Sequence, residues 1–169
     1  AVSECNSPFG RIWRFKKYMN IIIVGCGKVG RKLAERLSCE KDNDITVVDL
    51  SNNAVEDLIN QYDIMGVIGN GANFDTLMEA GIKNADILIA VTGSDELNLL
   101  TCLIAKKTGN CQTIARVRNP EYSKELNLFK EDLGLAMILN PEQTAASEMA
   151  RLLRFPSAIQ IDTFAKGRV

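Results

Sequence analysis

Histidine is absent from this chain of 169 residues, and its five cysteines include no Cys-x-x-Cys pair. Both absences argue against a zinc site, because zinc in proteins is held mainly by histidine and cysteine at short spacings. The sequence also has no apolar run near the roughly 18 residues that a membrane-spanning helix needs. An odd number of cysteines without framework spacing is typical of a reducing compartment. We therefore expect a soluble, cytoplasmic protein.

Charge of either sign is not in excess: 20 lysines and arginines face 21 acidic residues, which gives a net charge of −1. Such a balance provides no general attraction to nucleic acid or to anionic membranes, so we expect no nucleic-acid partner. A hydrophobic content of 46% is ordinary for a globular domain with a sizeable core. The length suits one domain.

What the sequence does contain is an apolar strand that runs into a glycine-rich turn. Residues 21–24 are Ile-Ile-Ile-Val, and Gly25, Gly27 and Gly30 follow with Gly-x-Gly-x-x-Gly spacing. In a strand-turn-helix unit, Gly25 makes the tight turn, Gly27 lets the backbone approach a pyrophosphate, and Gly30 lets helix and strand pack closely. The start of the helix then presents free N–H groups and the positive end of its dipole to the phosphates.

A second apolar strand, residues 45–49, ends in an acidic residue about 20 positions after the turn. At this spacing Asp49 is expected to accept hydrogen bonds from the hydroxyls of an adenosine ribose. A carboxylate there repels a 2′-phosphate, which favours NAD(H) or an adenosine di- or triphosphate over NADP(H). The alternative is that Asp49 is a merely exposed strand end, and the spacing argues against it.

From Met19 onward, expected strands and helices alternate. The expected strands are 20–25, 45–49, 64–68, 85–91, 112–118 and 135–139. The expected helices are 28–38, one capped by Ser51, 73–80, 95–108, one starting at Asn119-Pro120 and one starting at Asn140-Pro141. Six strands joined by crossover helices predict a three-layer αβα fold around a doubly wound, six-stranded parallel sheet of Rossmann type with strand order 3-2-1-4-5-6. Leu97, Leu100, Leu103 and Ile104 are expected to form the inward stripe of the helix over 95–108.

The ligand crevice of such a sheet lies at the carboxyl ends of strands 1 and 4, where the strand order reverses. Residues that follow the strands are therefore the candidate contacts. They are Gly25, Cys26, Gly27, Lys28, Val29 and Gly30 after strand 1, Asp49 after strand 2, Asn70 and Gly71 after strand 3, Thr92, Gly93 and Asp95 after strand 4, and Arg116 on strand 5.

Several of these candidates have simpler readings. Lys28 can be a solvated side chain, and Thr92 can serve only to cap the helix that follows it. Arg116 lies in an apolar strand, where it can meet a phosphate or an acidic partner such as Asp95, or else be an exposed strand end like Arg118. Cys26 sits where the turn needs a small side chain, and a redox role is the minor alternative.

Residues 1–18 do not fit this pattern, since a turn-rich stretch is followed by bases mixed with aromatics. We expect a leader or extension outside the fold, with a membrane-surface or nucleic-acid-binding arm as the alternative. Residues 19–156 are expected to form the nucleotide-binding domain.

Four segments in this order resemble the N-terminal KTN/RCK domain of the TrkA-type regulatory subunit of potassium uptake systems. The segments are 19–30, 44–49, 90–98 and 114–122. The resemblance covers about 19–156, and it implies that 157–169 are a linker or the start of a smaller C-terminal domain that is cut short.

The resemblance implies a cytoplasmic gating subunit that binds NAD(H), and in some relatives ADP or ATP. It also implies a homodimer or larger ring at the inner face of the membrane, beneath a potassium-translocating membrane protein. Nucleotide contacts are implied at Gly25 to Val29, Asp49, Asn70, Thr92, Gly93 and Arg116. We further hypothesise that Asp95 helps to distinguish NADH from NAD⁺. The last helix is a candidate surface between subunits, through Met149, Leu152, Leu153 and Phe155, with core packing as the alternative.

The alternative function is the cofactor-binding half of a truncated NAD-dependent oxidoreductase. Hydride transfer to a carbonyl needs a positioned acid or base, commonly histidine or an activated tyrosine. The chain has no histidine, and none of its three tyrosines has a lysine four residues later. The residues therefore favour a ligand-responsive regulator over an enzyme.

Overall fold

The computed structural model describes residues 18–40, 42–119, 121–122 and 134–154. Almost all of the expected leader, the whole of 157–169 and most of the helix expected after Asn119-Pro120 lie outside the described residues. Among the helices that are described, none combines the length and the apolar character needed to cross a membrane.

Six strands and five helices make up the described part of the chain. The strands are β1 (Met19–Val24), β2 (Asn43–Asp49), β3 (Met65–Ile68), β4 (Ile87–Ala90), β5 (Gln112–Arg116) and β6 (Leu135–Leu139). The helices are α1 (Lys28–Ser38), α2 (Asn52–Gln61), α3 (Phe74–Glu79), α4 (Asp95–Thr108) and α5 (Pro141–Arg154). All strand pairs are parallel, and the strand order is β3-β2-β1-β4-β5-β6. The predicted fold class and strand order are confirmed.

Strand β1 is apolar throughout its second half because the sheet is covered on both faces. Ile21 and Ile23 belong to a buried cluster that includes residues of α1 and α2. Ile22 and Val24 belong to a second cluster that includes residues of α3 and α4. Successive side chains of a strand point to opposite faces, so a continuous apolar run is what a doubly covered strand requires.

The register of the strands brings their carboxyl ends to one edge of the sheet. Val24 lies opposite Val48 on one side and Ala90 on the other. Ala90 in turn lies opposite Ala115 of β5. The connections that follow β1, β2, β4 and β5 therefore leave the sheet side by side, at the predicted crevice.

Helix α4 turns a small and polar surface toward the sheet. Leu100, which was expected to point inward, is 48% exposed, so that expectation is wrong. The other expected stripe residues, Leu97, Leu103 and Ile104, are partly buried. The buried residues of the helix are Asp95, Asn98, Thr101, Cys102 and Ala105. The apolar periodicity misled because Asn98, wholly buried, is held by hydrogen bonds that a leucine cannot make.

Helix α5 belongs to a separate compact unit that begins at Asn140. The side-chain oxygen of Asn140 accepts a hydrogen bond from the Gln143 N–H at 2.9 Å, and Pro141 is the first helical residue, as predicted. Met149 and Leu153 are exposed, and a spacing of four residues places them on the same face of the helix.

The contrast between Leu88 and Leu100 gives a stability test of the α4 orientation. Leu88 is fully buried in β4, so Leu88→Ala should lower the free energy of unfolding by about 2–5 kcal/mol. Leu100→Ala removes the same atoms from an exposed position and should change it by roughly 0.5 kcal/mol or less. Urea unfolding followed by circular dichroism measures both values. Similar losses in the two variants would contradict the described orientation of α4.

Candidate functional site

A cavity of about 560 Å³ lies at the carboxyl edge of the sheet. Its size is within the range of small-molecule sites, roughly 300–1,000 Å³. Most of the predicted contact residues line it, namely Gly25, Gly27, Lys28, Val29, Asp49, Asn70, Gly71, Thr92, Gly93 and Arg116. Three predicted residues do not: Cys26, Gly30 and Asp95. The lining also includes residues that sequence reasoning missed, namely Val24, Val48, Leu50, Gly69, Val91, Ser94 and Leu97.

Two glycines of the turn are required by the protein's own packing. Gly25 has a φ of +105°, and a Cβ there would lie 2.9 Å from the Thr92 nitrogen. A Cβ on Gly30 would overlap the carbonyl oxygen of Gly25, which explains its absence from the lining: it brings α1 against β1. At Gly27, by contrast, a Cβ would meet no described atom within 4 Å. Packing therefore does not account for the glycine at position 27.

The N-terminus of α1 differs from those of the next three helices. Side chains of Ser51, Asn73 and Ser94 cap α2, α3 and α4. Gly27 caps α1 without any side-chain hydrogen bond among the described residues, and the first turn of α1 has no acidic residue. The first N–H groups of a helix lack intrahelical partners and carry the positive end of its dipole. Because Gly27, Lys28 and Val29 line the cavity, this end of α1 presents an anion-binding surface to it.

Asp49 joins the loops that follow β1 and β2. Its Oδ2 accepts a hydrogen bond from the Cys26 N–H at 2.6 Å, and its Oδ1 accepts one from the Ser51 N–H at 2.9 Å. Each carboxylate oxygen has a second lone pair, so the group can still accept hydrogen bonds from a ligand. Asp49 thus holds the glycine-rich turn in place and also lines the cavity.

The Cys26 thiol is buried beneath this turn, and its pKa is raised from 9.0 to about 12. Burial is the main cause, and the negative charge of Asp49 raises the pKa further, while Arg31 opposes the effect. The thiol is therefore neutral at physiological pH. A redox role needs an accessible thiolate, and the environment of Cys26 disfavours it.

At the other end of the cavity, Thr92 and Arg116 are connected by a residue that the sequence analysis missed. Asn98 Oδ1 accepts hydrogen bonds from the Thr92 N–H at 2.8 Å and the Thr92 hydroxyl at 2.7 Å. Asn98 Nδ2 donates to the Arg116 carbonyl at 2.9 Å. The signal in the sequence was a polar residue at an inward position of a helix otherwise rich in leucine.

Asp95 lies behind the cavity rather than in its lining. Its Oδ2 accepts hydrogen bonds from the backbone N–H groups of Arg118 and Asn119, at 2.8 and 2.9 Å. Its Oδ1 lies 3.5 Å from the Arg118 Nε, and the Arg118 guanidinium donates to the Gly93 carbonyl. The expected acidic partner of Arg116 is therefore engaged with Arg118 instead. In this position Asp95 fixes loops and does not face the cavity.

Glu96 extends these connections on the surface. The Ser94 and Tyr122 hydroxyls donate to its two carboxylate oxygens, at 2.7 and 3.0 Å. The hydrogen bond from Ser94 is the main reason why the pKa of Glu96 is lowered, and the same carboxylate raises the pKa of Tyr122. Glu96 thus connects a residue of the cavity lining to the segment after β5.

The described residues contain no cluster of three or more metal-ligating side chains. The cavity instead offers helix N–H groups at one point, a carboxylate beside them, and an arginine at the far end. Such an arrangement suits a ligand that carries phosphate and hydroxyl groups.

Most of the sequence is similar to that of known proteins. Residues 21–141 match the family model described as the TrkA-N domain. The chain is 40% identical over 154 residues to the Trk system potassium uptake protein TrkA of Haemophilus influenzae, covering 89% of the chain and 33% of that relative. It is 38% identical over 151 residues to the Trk system potassium uptake protein TrkA homolog of Archaeoglobus fulgidus, covering 89% of the chain and 34% of that relative. The chain thus spans about a third of the length of these relatives.

Solved structures share the fold. The TrkA-N domain of the inner membrane protein ybaL from Escherichia coli superposes with a TM-score of 0.70 at 24% identity, over 82% of this chain and 98% of that one. The Shewanella denitrificans Kef CTD in its AMP-bound form gives 0.65 at 19% identity, covering 83% of each chain. The GsuK channel bound to NAD gives 0.61 at 23% identity, over 73% of this chain and 21% of that one. By the family match and by its similarity to the TrkA relatives, the chain belongs to the TrkA-N domain family.

Proposed function

We propose that the chain is a nucleotide-binding regulatory domain of a potassium uptake system, with NAD(H) as the favoured ligand and ADP or ATP as the alternative. Ligand binding shifts the domain between conformations, and a membrane partner responds. The ligand can shift this equilibrium only as far as it binds one conformation better than the other.

The observation that carries the nucleotide proposal is the pairing of the open α1 N-terminus with Asp49 at one end of the cavity. The space over Gly27 admits a phosphate to the first N–H groups of α1. The carboxylate beside it accepts hydrogen bonds from ribose hydroxyls and repels a 2′-phosphate. Among the structures of the same fold, one is named as bound to NAD and another as bound to AMP, which supports a nucleotide in this crevice.

A regulatory role is favoured over an enzymatic one. The chain has no histidine, and none of its three tyrosines is among the described residues that line the cavity. The Thr92 hydroxyl, the polar group next to the end of β4, donates its proton to Asn98 within the protein. Hydride transfer to a carbonyl needs a positioned acid or base, commonly histidine or an activated tyrosine, so these two absences argue against an oxidoreductase.

The proposed partners are a second copy of the chain and a membrane-embedded subunit that translocates potassium. The relatives are named as potassium uptake proteins, which supports the transport system. The chain would work on the cytoplasmic side of the membrane. Helix α5 is the proposed contact with the second copy, because Met149 and Leu153 expose adjacent apolar side chains.

A thermal-shift titration with NADH, NAD⁺, NADPH, ADP, ATP and AMP tests the nucleotide proposal. A ligand that binds the folded state raises the Tm with the logarithm of its excess over Kd. At 100 Kd the stabilisation is about 2.7 kcal/mol, or several degrees for a domain of this size. We expect a shift with NADH and little or none with NADPH. A Tm shift with ADP or ATP alone would make an adenine nucleotide, rather than NAD(H), the ligand of the domain. The absence of a shift with every nucleotide would refute the proposal.

Asp49→Asn tests the role of the carboxylate. An amide cannot accept hydrogen bonds on both of its heavy atoms, so either the Cys26 or the Ser51 N–H loses its acceptor. Loss of the charge also removes the repulsion of a 2′-phosphate. We expect NADH binding to weaken by about tenfold or more and the preference for NADH over NADPH to narrow, measured by calorimetry.

Asp44→Asn is the matched control for Asp49, since it makes the same change at the exposed start of the same strand. It should leave both affinities unchanged. If the Asp49→Asn protein keeps the same preference for NADH over NADPH, the carboxylate does not contact the ribose in the proposed way.

Light scattering at high protein concentration tests the self-association proposal. We expect a dimer or larger assembly, and a shift toward monomer in Leu153→Glu because a charge replaces an apolar contact. Ser147→Glu adds the same charge to the opposite face of α5 and should not change the mass. A monomeric starting protein would contradict the proposed contact.

A further inference from the structure

Asn98 does not line the cavity, but all the hydrogen-bonding groups of its side chain bond to two residues that do. The residue is fully buried on α4. Its Oδ1 accepts two hydrogen bonds from Thr92, and its Nδ2 donates to the carbonyl of Arg116 at 2.9 Å and to that of Thr92 at 3.4 Å. The amide therefore reaches its full complement of two donated and two accepted hydrogen bonds.

The two residues that Asn98 joins lie at the ends of neighbouring strands. Thr92 follows β4 and Arg116 ends β5, and both line the cavity. Asn98 accordingly sets the spacing between the two strand ends that bound the half of the cavity far from Asp49. The near half is held by other means: by the glycine-rich turn and by Asp49, which bonds to Cys26 and Ser51.

The same far half is held from outside by Asp95. Its carboxylate accepts the backbone N–H groups of Arg118 and Asn119, and Arg118 reaches back to the Gly93 carbonyl. Two polar residues of one helix, three positions apart, thus fasten the β4 and β5 loops to each other. Among the described residues, neither Asn98 nor Asp95 forms a side-chain hydrogen bond to the near half.

We infer that Asn98 is a positioning residue for dinucleotides: it orders the far half of the cavity and thereby determines whether the second nucleoside of an NAD-type ligand is bound. The inference rests on the proposed nucleotide function and deepens it. A mononucleotide such as AMP can be held by the near half alone, at α1 and Asp49, so its affinity does not depend on Asn98. A dinucleotide needs both halves.

The test compares NADH and AMP binding to the Asn98→Leu protein by calorimetry. Leucine has a similar volume and makes none of the four hydrogen bonds. We expect NADH to bind about tenfold more weakly, the equivalent of one or two lost hydrogen bonds, while AMP binds within about twofold of the starting protein. The ratio of the two dissociation constants is the readout, because a general loss of stability would change both together.

Thr101→Val is the matched control. Thr101 is also fully buried on α4, one turn further along, and its hydroxyl has no hydrogen-bond partner among the described residues. The variant should leave both affinities unchanged. If Asn98→Leu does not fold, as judged by circular dichroism, Asn98→Asp serves in its place. Aspartate can still accept from Thr92 but, when ionised, cannot donate to Arg116, so the same selective loss of NADH is expected.

Four outcomes overturn the inference. Equal weakening of NADH and AMP would make Asn98 a general stability residue, and unchanged binding of both would make its bonds irrelevant to the ligand. A starting protein that binds AMP but not NADH would leave the nucleotide function standing and refute the dinucleotide role. A starting protein that binds neither would refute both proposals.

Discussion

The close approach of α1 to β1 is the constraint on which the rest of the site depends. A side chain at Gly30 would overlap the Gly25 carbonyl, so the helix can start where it does only if that position is glycine. With α1 set against the strand, its N-terminus, which no described side chain caps, borders the crevice. Gly25 in turn must pass the Thr92 backbone closely, with a φ of +105°. These two close approaches therefore bring the helix end, the turn and the start of the β4 loop together.

The near half of the cavity was predictable because its determinants are local in the sequence. The sequence shows directly both the glycines at fixed spacing and the acidic residue that ends the next strand. Each of them acts through its own backbone or side chain, so its role can be predicted without knowing how the chain packs. The strand order followed from the alternation of elements and the handedness of crossovers. What the spacing could not show is that Asp49 also bonds to Cys26 and Ser51, because such contacts depend on the packing of two loops.

The far half was not predictable in the same way. Apolar periodicity pointed Leu100 inward, yet the inward face of α4 carries Asn98 and Asp95, whose partners include residues 18 to 24 positions away. A buried amide with all four hydrogen bonds made is strongly preferred over one left unpaired, so a few long-range polar contacts outweigh a leucine stripe. Asp95 was expected in the cavity lining, but it lies outside the lining and its carboxylate likewise accepts hydrogen bonds from the segment after β5. Hydrophobic patterning alone carries no information about such partners.

The different construction of the two halves bears on how a ligand could act as a signal. Contacts made by a ligand bias a conformational equilibrium only where they differ between the conformations. The near half is constrained by backbone sterics at Gly25 and Gly30, which leave little freedom. The far half is constrained by side-chain hydrogen bonds, which can be exchanged for others, and through Arg118 and Tyr122 it connects to the segment after β5. In the proposed regulator, affinity therefore belongs mainly to the near half and the capacity to change conformation to the far half. Suppose that a partner binds the segment after β5 in only one of its arrangements. Linkage then requires that the factor by which this partner changes the affinity for a dinucleotide equals the factor by which the dinucleotide changes the affinity for the partner.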